Sequence, residues 1–303
     1  MLQYPNIQRT RFFRRYFVRV AVIGASGQLG ADIVLAFRDA GNDVMGLGHA
    51  DIEISDAESV KSVLGAIAPQ VVINTAAMHH VEQCEADPAK SFAINGIGTR
   101  NLAQVCEAGG TYFLHISTDY VFDGAKGQPY VETDAPRPLN VYGNTKLSGE
   151  HFALAACSRS AVLRVSGVYG THPCRAKGGM NFVRLMLKLA AERPELRVVD
   201  DEILTPTFTV DIAQQVLRLA ESGATGLFHG TAQGACSWYE FASAIFEISG
   251  TTANLQKARP GEFPAKVSRP SYSVLDNAAL RKAALDVMPD WRDGLTRYLK
   301  AIG

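Results

Sequence analysis

The chain has 303 residues, 47% hydrophobic and 20% charged, enough for one large α/β domain or two closely joined units. Thirty basic residues balance thirty acidic ones, so no global field points to nucleic acid or an anionic membrane. The five cysteines (Cys84, Cys106, Cys157, Cys174, Cys236) form no CxxC or Cys/His cluster, which argues against zinc and a disulfide framework and for reduced thiols in the cytoplasm.

Residues 1–17 stand apart. Arg9, Arg11, Arg14 and Arg15 mix with Tyr4, Phe12, Phe13, Tyr16 and Phe17, with no acid among them. No apolar core of secretory length follows, so the stretch reads as a disordered extension or a start assigned too early rather than a targeting peptide. No apolar run in the chain is long enough to cross a bilayer.

Val18–Ile23 is the continuous apolar run of a strand covered on both faces. Leu29, Ile33, Val34 and Phe37 recur at helical spacing until Gly41. Val44–Leu47 is a second strand. Ser55, with Glu58 three residues on, predicts a capping box for the next helix. Val71–Thr75 is a third strand, Phe92–Glu107 a helix, Tyr112–Ser117 a strand, Tyr142–Ala156 a helix and Ala161–Val165 a strand. Repeated βα units predict an α/β fold: a doubly wound parallel sheet of Rossmann type. The second half has Gly/Pro-rich loops at 170–179, 203–207 and 259–271 between helical stretches near 180–192, 208–221, 237–248 and 291–301. It predicts a smaller α+β substrate lobe over the carboxyl ends of the strands. The expected division is a dinucleotide-binding domain over 18–165, with a return segment at about 204–228, and a substrate lobe from 166–203 and 229–303.

Gly24, Gly27 and Gly30 form G-x-x-G-x-x-G after a strand and before a helix. The first permits a tight turn, the second lets backbone amides approach a phosphate, and the third lets helix and strand pack closely. The helix N-terminus then presents free N–H groups to a pyrophosphate. Gly24, Ser26, Gly27, Gln28, Leu29 and Gly30 are therefore candidate cofactor residues. The second strand ends in Gly46, Leu47, Gly48, His49 and Ala50, without a carboxylate for a ribose 2′-OH, which favours NADPH over NADH.

Ser117, Thr118 and Asp119 emerge at the carboxyl end of the fourth strand. Tyr142 and Lys146, four apart, share one helix face. A phenol titrates near ~10 in water; a nearby ammonium and an oxidised nicotinamide would lower that value. Thr118, Tyr142 and Lys146 are thus candidates for carbonyl reduction. Thr118 steadies the substrate oxygen, Tyr142 gives the proton, and Lys146 holds the nicotinamide ribose. Tyr142, Lys146 and Ser117 also count as cofactor residues.

From about residue 18 onward the chain resembles the dTDP-4-dehydrorhamnose reductases, a branch of the extended short-chain dehydrogenases/reductases. The likeness rests on GASGQLG (24–30), VVINTAA (71–77), STDYVFDG (117–124), ETDAPRPLNVYGNTKLSGE (132–150), TPT (205–207), SWYEFA (237–242) and RPSYSVLD (269–276). It implies reduction of the C4 ketone of a dTDP-6-deoxy-hexulose by NAD(P)H, giving dTDP-L-rhamnose in polysaccharide biosynthesis. It also places Ala76, Ala77 and Asn95 on cofactor or scaffold positions. A homodimer and a bound Mg2+ are implied by the resemblance alone; no ligand cluster for a metal stands out in the sequence. Four departures concern the sugar. The family's tryptophan in R-x-S-W-V-Y is Gly167 here, in RVSGVY (164–169), its D-Q is Asp201–Glu202, His79 and His80 stand where the family more often has Tyr-Thr, and the loop His172–Gly179, with Arg175 and Lys177, is irregular. Loss of an indole removes a stacking surface.

Candidate substrate residues are His79, Asp119, Tyr120 and Arg269. Asp119 could equally cap the adjoining turn, and Arg269 offers a planar cation to a diphosphate. Trp238 and Tyr239 read as packing residues, and Glu150 as a solvated helix-face residue. The alternatives are a related nucleotide-deoxysugar 4-ketoreductase or epimerase, or a non-catalytic regulatory subunit of the same fold.

Overall fold

The computed structural model describes residues 18–173, 178–259, 261–263 and 266–303. The 1–17 extension, Cys174 and the Arg175–Lys177 part of the 172–179 loop lie outside the described residues.

Alternating βα units build the first half. In chain order they are β1 (Arg19–Ile23), α1 (Gln28–Asp39), β2 (Asp43–Leu47), α2 (Ala57–Ile67), β3 (Val71–Asn74), α3 (Val81–Ala86), α4 (Pro88–Phe92), α5 (Thr99–Gly109), β4 (Tyr112–Thr118), α6 (Val141–Ala156) and β5 (Ser160–Val165). The second half adds β6 (Val168–Tyr169), α7 (Phe182–Glu192), β7 (Leu196–Val198), β8 (Ile203–Leu204), β9 (Thr207–Phe208), α8 (Thr209–Ser222) and β10 (Gly226–His229). It ends with β11 (Cys236–Ser237), α9 (Trp238–Ser249), β12 (Leu255–Lys257), α10 (Ala278–Lys282) and α11 (Trp291–Ile302).

Six strands form one sheet in the order β10-β5-β4-β3-β1-β2. Every pairing in it is parallel. The inner strands β3, β4 and β5 are buried along their whole length because helices cover both faces. Val20, Val22, Leu114, Ile116 and Leu163 join Ile33 and Phe37 of α1 and Ile212 and Val216 of α8 in one core. The alternate residues Ala21, Ile23, Val72, Phe113 and Val162 join Val60 and Leu64 of α2, Leu102 of α5 and Ala153 of α6 in another. The strand period of two therefore sends each neighbour to an opposite core. The chain leaves β1 toward β2 and returns past it to β3. This reversal opens a crevice at the carboxyl ends of β1 and β3, where open α/β sheets bind ligands.

A third core gathers residues of α7, α9 and α11 around Tyr169, Phe208, Phe241 and Tyr298. Tyr169 stacks on Phe208 at 5.8 Å and meets Tyr298 edge-on at 5.2 Å. Ser237 and Glu240 form a reciprocal capping box at the start of α9.

Two local expectations change. The cap of α2 is Asp56, whose carboxylate accepts the Glu58 N–H; the Ser55 hydroxyl instead donates to Glu53 at 2.6 Å. The helix expected over 92–107 contains a π-helical turn at Ala93–Gly98 between α4 and α5. One widened turn re-aims a side chain relative to regular helix, and here that side chain is Asn95.

Candidate active site

The glycine loop sits between β1 and α1. Gly24 adopts φ +81°, and a Cβ there would lie 2.8 Å from the Ala76 nitrogen. A Cβ on Gly30 would lie 2.3 Å from the Gly24 carbonyl oxygen, so only glycine lets α1 come this close to β1. No side chain caps the α1 N-terminus at Gly27. Its first amides are left to face a phosphate. The cradle thus fits a dinucleotide pyrophosphate by its own backbone. Ser26, Gly27, Gln28, Leu29 and Gly30 line a cleft of about 680 Å³, together with Ala76 and Ala77 beyond β3. The Gln28 side chain donates to the Gly170 carbonyl at 3.0 Å, which ties the loop to the segment after β6.

Asn95 does not reach the cleft wall. It is fully buried, and its Oδ1 accepts the Met78 N–H at 2.8 Å while its Nδ2 donates to the Met78 carbonyl at 2.9 Å and to Thr145 Oγ1 at 3.0 Å. It clamps the loop after β3 to α6, which is the scaffold half of the expectation and not direct cofactor contact. Near the end of β2 two acids lie beyond the strand tip. Asp51 accepts the Gly48 N–H at 2.7 Å. Glu53 lines the cleft beside the exposed His49, with 3.4 Å between Oε2 and Nδ1. The hydroxyl of Ser55 holds Glu53 below its ordinary value.

Thr118, Tyr142, Lys146, Asp119 and Tyr120 all line the same cleft. Asn140 caps α6 by accepting the Gly143 N–H at 2.8 Å, and this fixes the first turn that carries Tyr142. Gly143 faces the Tyr120 carbonyl, where a Cβ would lie at 2.2 Å, so α6 starts hard against the turn after β4. Burial pushes the Tyr142 phenol up, and the neighbouring Thr118 hydroxyl pulls the other way. Lys146 stands one turn further along α6. Its Nζ is turned inward, donating to the Ile116 carbonyl at 2.7 Å and lying 3.2 Å from His115 Nε2. Burial pulls Lys146 down to about 8, against the opposing pull of Glu150.

Glu150 is not a solvated helix-face residue. It is 1% exposed, accepts from Ser117 Oγ at 2.5 Å, and takes two bonds from Arg164 at 2.8 and 2.6 Å. Ser117 therefore spends its hydroxyl behind the cleft. Asp119 is buried as well, accepting from Thr118 at 3.0 Å and Ser166 at 2.8 Å, and burial raises its carboxyl. It orders the hydroxyls around the site more than it faces a ligand. Tyr120 lies edge-on to Tyr142, with 5.8 Å between ring centres.

On the far wall Arg269 pairs with Glu82 at 2.7 Å. His79 and His80 both line the cleft. His80 Nδ1 lies 3.2 Å from Glu82 Oε2 without hydrogen-bond geometry. Trp238, expected only to pack, packs on Phe182 at 4.6 Å, lines the cleft and donates its Nε1–H to Glu202 at 3.1 Å. Gly167 adopts φ +56°, and a Cβ there would lie 2.6 Å from the Thr205 carbonyl oxygen. No larger side chain fits this backbone at 167. Among the described residues no group of three or more His, Cys, Asp or Glu side chains is placed to hold a metal. No helix among them is long and apolar enough to cross a membrane.

The family model described as the RmlD substrate binding domain matches residues 18–303. A spore coat polysaccharide biosynthesis protein of Bacillus subtilis (strain 168) is 41% identical over 93% of this chain and 97% of its own length. A dTDP-4-keto-6-deoxy-D-glucose reductase of Streptomyces niveus is 37% identical over 92% of this chain and 96% of its own. The solved dTDP-4-dehydrorhamnose reductase of Bacillus anthracis (strain Ames), in complex with NADP, superposes with a TM-score of 0.90 at 33% identity, covering 94% of this chain and 100% of that one. The chain belongs to the RmlD substrate-binding-domain family of Rossmann-type α/β proteins.

Proposed function

We propose that this protein is an NADPH-dependent oxidoreductase that reduces the C4 ketone of a nucleotide-activated 6-deoxy-hexulose. The favoured substrate is dTDP-4-dehydro-L-rhamnose, and the product dTDP-L-rhamnose. One observation carries the reading. Thr118, Tyr142 and Lys146 stand together on the wall of the cleft whose other end is the glycine cradle. The names of the Streptomyces and Bacillus anthracis relatives and the NADP in the latter's structure agree with it.

When bound, NADPH supplies the hydride that reduces the ketone carbon. The chain's own residues do the rest. Gly24, Gly27, Gly30 and the amides of α1 hold the pyrophosphate; Ser26, Gln28, Leu29, Ala76 and Ala77 line its path. The hydroxyl of Thr118 turns from Asp119 to donate to the substrate oxygen as charge gathers there, and the Tyr142 phenol delivers the proton. A phenol raised by burial holds its proton firmly at neutral pH, the state a general acid needs. Lys146 holds the nicotinamide ribose. Arg269 takes the diphosphate, and Tyr120 and His79 border the sugar. Trp238 offers an indole on the substrate side. No metal is needed for these steps. A cytoplasmic location fits a nucleotide-sugar substrate.

The test is loss of NADPH absorbance with a panel of dTDP- and other nucleotide 4-keto-6-deoxyhexoses. Turnover of the dTDP-linked ketone supports the reading. No turnover with any of them, in protein that binds NADPH, sinks it.

A further inference from the structure

Behind Lys146 lies a buried polar chain that the reduction itself does not use. His115 sits on β4, fully buried, with Nδ1 3.1 Å from Asn74 Nδ2 and Nε2 3.2 Å from Lys146 Nζ. Its room is made by Gly149, where a Cβ would lie 3.2 Å from His115 Nε2 and 2.4 Å from the Asn95 carbonyl oxygen.

The hydrogens in this chain can be counted. Asn74 Oδ1 accepts the Ala76 N–H at 3.1 Å, so the amide cannot be flipped and Nδ2 is the group that faces the imidazole. An amide nitrogen only donates, so His115 Nδ1 must be a lone pair. A neutral imidazole then carries its proton on Nε2. That N–H points at Lys146 Nζ, which must accept it. An ammonium has no lone pair; a neutral amine has one. The amine still donates to the Ile116 carbonyl at 2.7 Å. The alternative, a charged lysine facing an Nε2 lone pair, would leave an N–H of His115 opposed to an N–H of Asn74, both buried.

From this geometry we infer that His115 is a positioning residue that holds Lys146 against β4 as a neutral amine, and that Lys146 takes up one proton from solvent when the dinucleotide cleft fills. The cofactor half rests on the NADPH reading above. The proton moves from water to Nζ, as His115 gives up its hold and the amine meets acceptor oxygens. Burial pulls both groups the required way, Lys146 to about 8 and His115 well below its ordinary value. The other charges on the elements packed around α6 do not supply a counterion. Glu150, on α6 itself, favours the ammonium, but is already bonded to Arg164 of β5 and to Ser117. Asp119 in the turn after β4 is bonded to Thr118 and Ser166, with Tyr120 and Tyr142 both neutral beside it. On α3, Glu82 is paired with Arg269, Glu85 accepts the Val141 N–H, and burial keeps Cys84 a thiol; Lys90 of α4 is a further cation.

Two measurements on the full chain test this. The first is a pH titration of the Lys146 Cε carbon by NMR in the free protein, with the resonance assigned by its absence from Lys146→Met. Its midpoint should lie near about 8. In His115→Gln, whose carbonyl oxygen accepts from an ammonium, the proton affinity should rise by about tenfold, burial holding the midpoint short of the ordinary lysine value. The second is calorimetry of NADPH binding in buffers of different ionisation enthalpy. Near pH ~9, well above the range where a 2′-phosphate titrates, uptake should approach about 0.9 proton per site, and it should fall to about half of that or less in His115→Gln. A wild-type midpoint at the ordinary lysine value overturns the inference, as does saturating NADPH binding without proton uptake, or a His115→Gln that titrates like wild type. Failure of NADPH to bind counts against the NADPH reading instead, and the titration of the free protein then decides this inference alone.

Discussion

Replacing Glu150 by Gln strips the counterion from a buried arginine. Arg164 is 2% exposed and Glu150 1%, with bonds of 2.8 and 2.6 Å between them. Among the described residues Arg164 pairs with no other anion; it also lies 3.4 Å from His229 Nε2 and 5.0 Å from the Phe122 ring. Charge centres on the order of 4 Å apart attract by about 4 kcal/mol at an effective dielectric near 20. Measured losses on breaking one side of a buried pair run about 3–5 kcal/mol, so the two scales agree. Ser117 loses a charge-assisted bond of 2.5 Å as well. We expect Glu150→Gln to lose about 3–5 kcal/mol in urea unfolding, with the slope against denaturant unchanged. The double variant Glu150→Leu with Arg164→Met should recover most of it, because an apolar pair leaves no orphaned charge. A loss under about 1 kcal/mol, or a double variant no better than the single one, would refute a buried pair that organises the back of the site.

Acid should weaken the fold through His229, which burial and Arg164 pull down to about 3. The unfolded chain binds that proton below its ordinary value and the folded one does not, so stability is complete above about 6.5 and falls as pH drops; at pH 5 the loss from this residue is about 2 kcal/mol. His115, also held neutral, adds to it in the same direction, and urea midpoints at several pH values read the sum. Gly30→Ala should cost at least about tenfold in NADPH affinity by fluorescence titration, since a Cβ would lie 2.3 Å from the Gly24 carbonyl and force the cradle open; unchanged affinity would mean that the cradle is not the pyrophosphate site. Gly167→Ala should lose about 2 kcal/mol, from a left-handed φ of +56° and a contact 2.6 Å from the Thr205 carbonyl, and a neutral result by urea unfolding would mean that the backbone there relaxes.

Much of this architecture is legible in the chain because period and punctuation agree. The apolar runs at 18–23, 71–75 and 112–117 become β1, β3 and β4, and the glycine spacing opens α1 where the loop requires it. What stays hidden is what lies one layer behind the motifs. Glu150 stands four residues after Lys146, hence on its face of α6, yet a lone acid on a helix reads as solvated until Arg164 of β5 is placed opposite it. His115 gives a fainter signal. It is a polar residue on the same side of β4 as Phe113 and Ser117, and that side faces α6. The inward turn of Lys146 rests on His115 and the Ile116 carbonyl, which spacing alone does not place. Asn95 shows the same limit, since only the π-helical turn reveals that it clamps a loop instead of lining the cleft. Gly167 was visible as a departure from the family pattern, but its positive φ was not.

The most direct measurement compares wild type with Tyr142→Phe for NADPH affinity and for turnover of a dTDP-4-keto-6-deoxyhexose. If the phenol delivers the proton, affinity stays within about twofold while turnover drops at least about a hundredfold. Turnover retained in the phenylalanine variant, at unchanged affinity, would contradict the role given to Tyr142 and the reductase chemistry built on it.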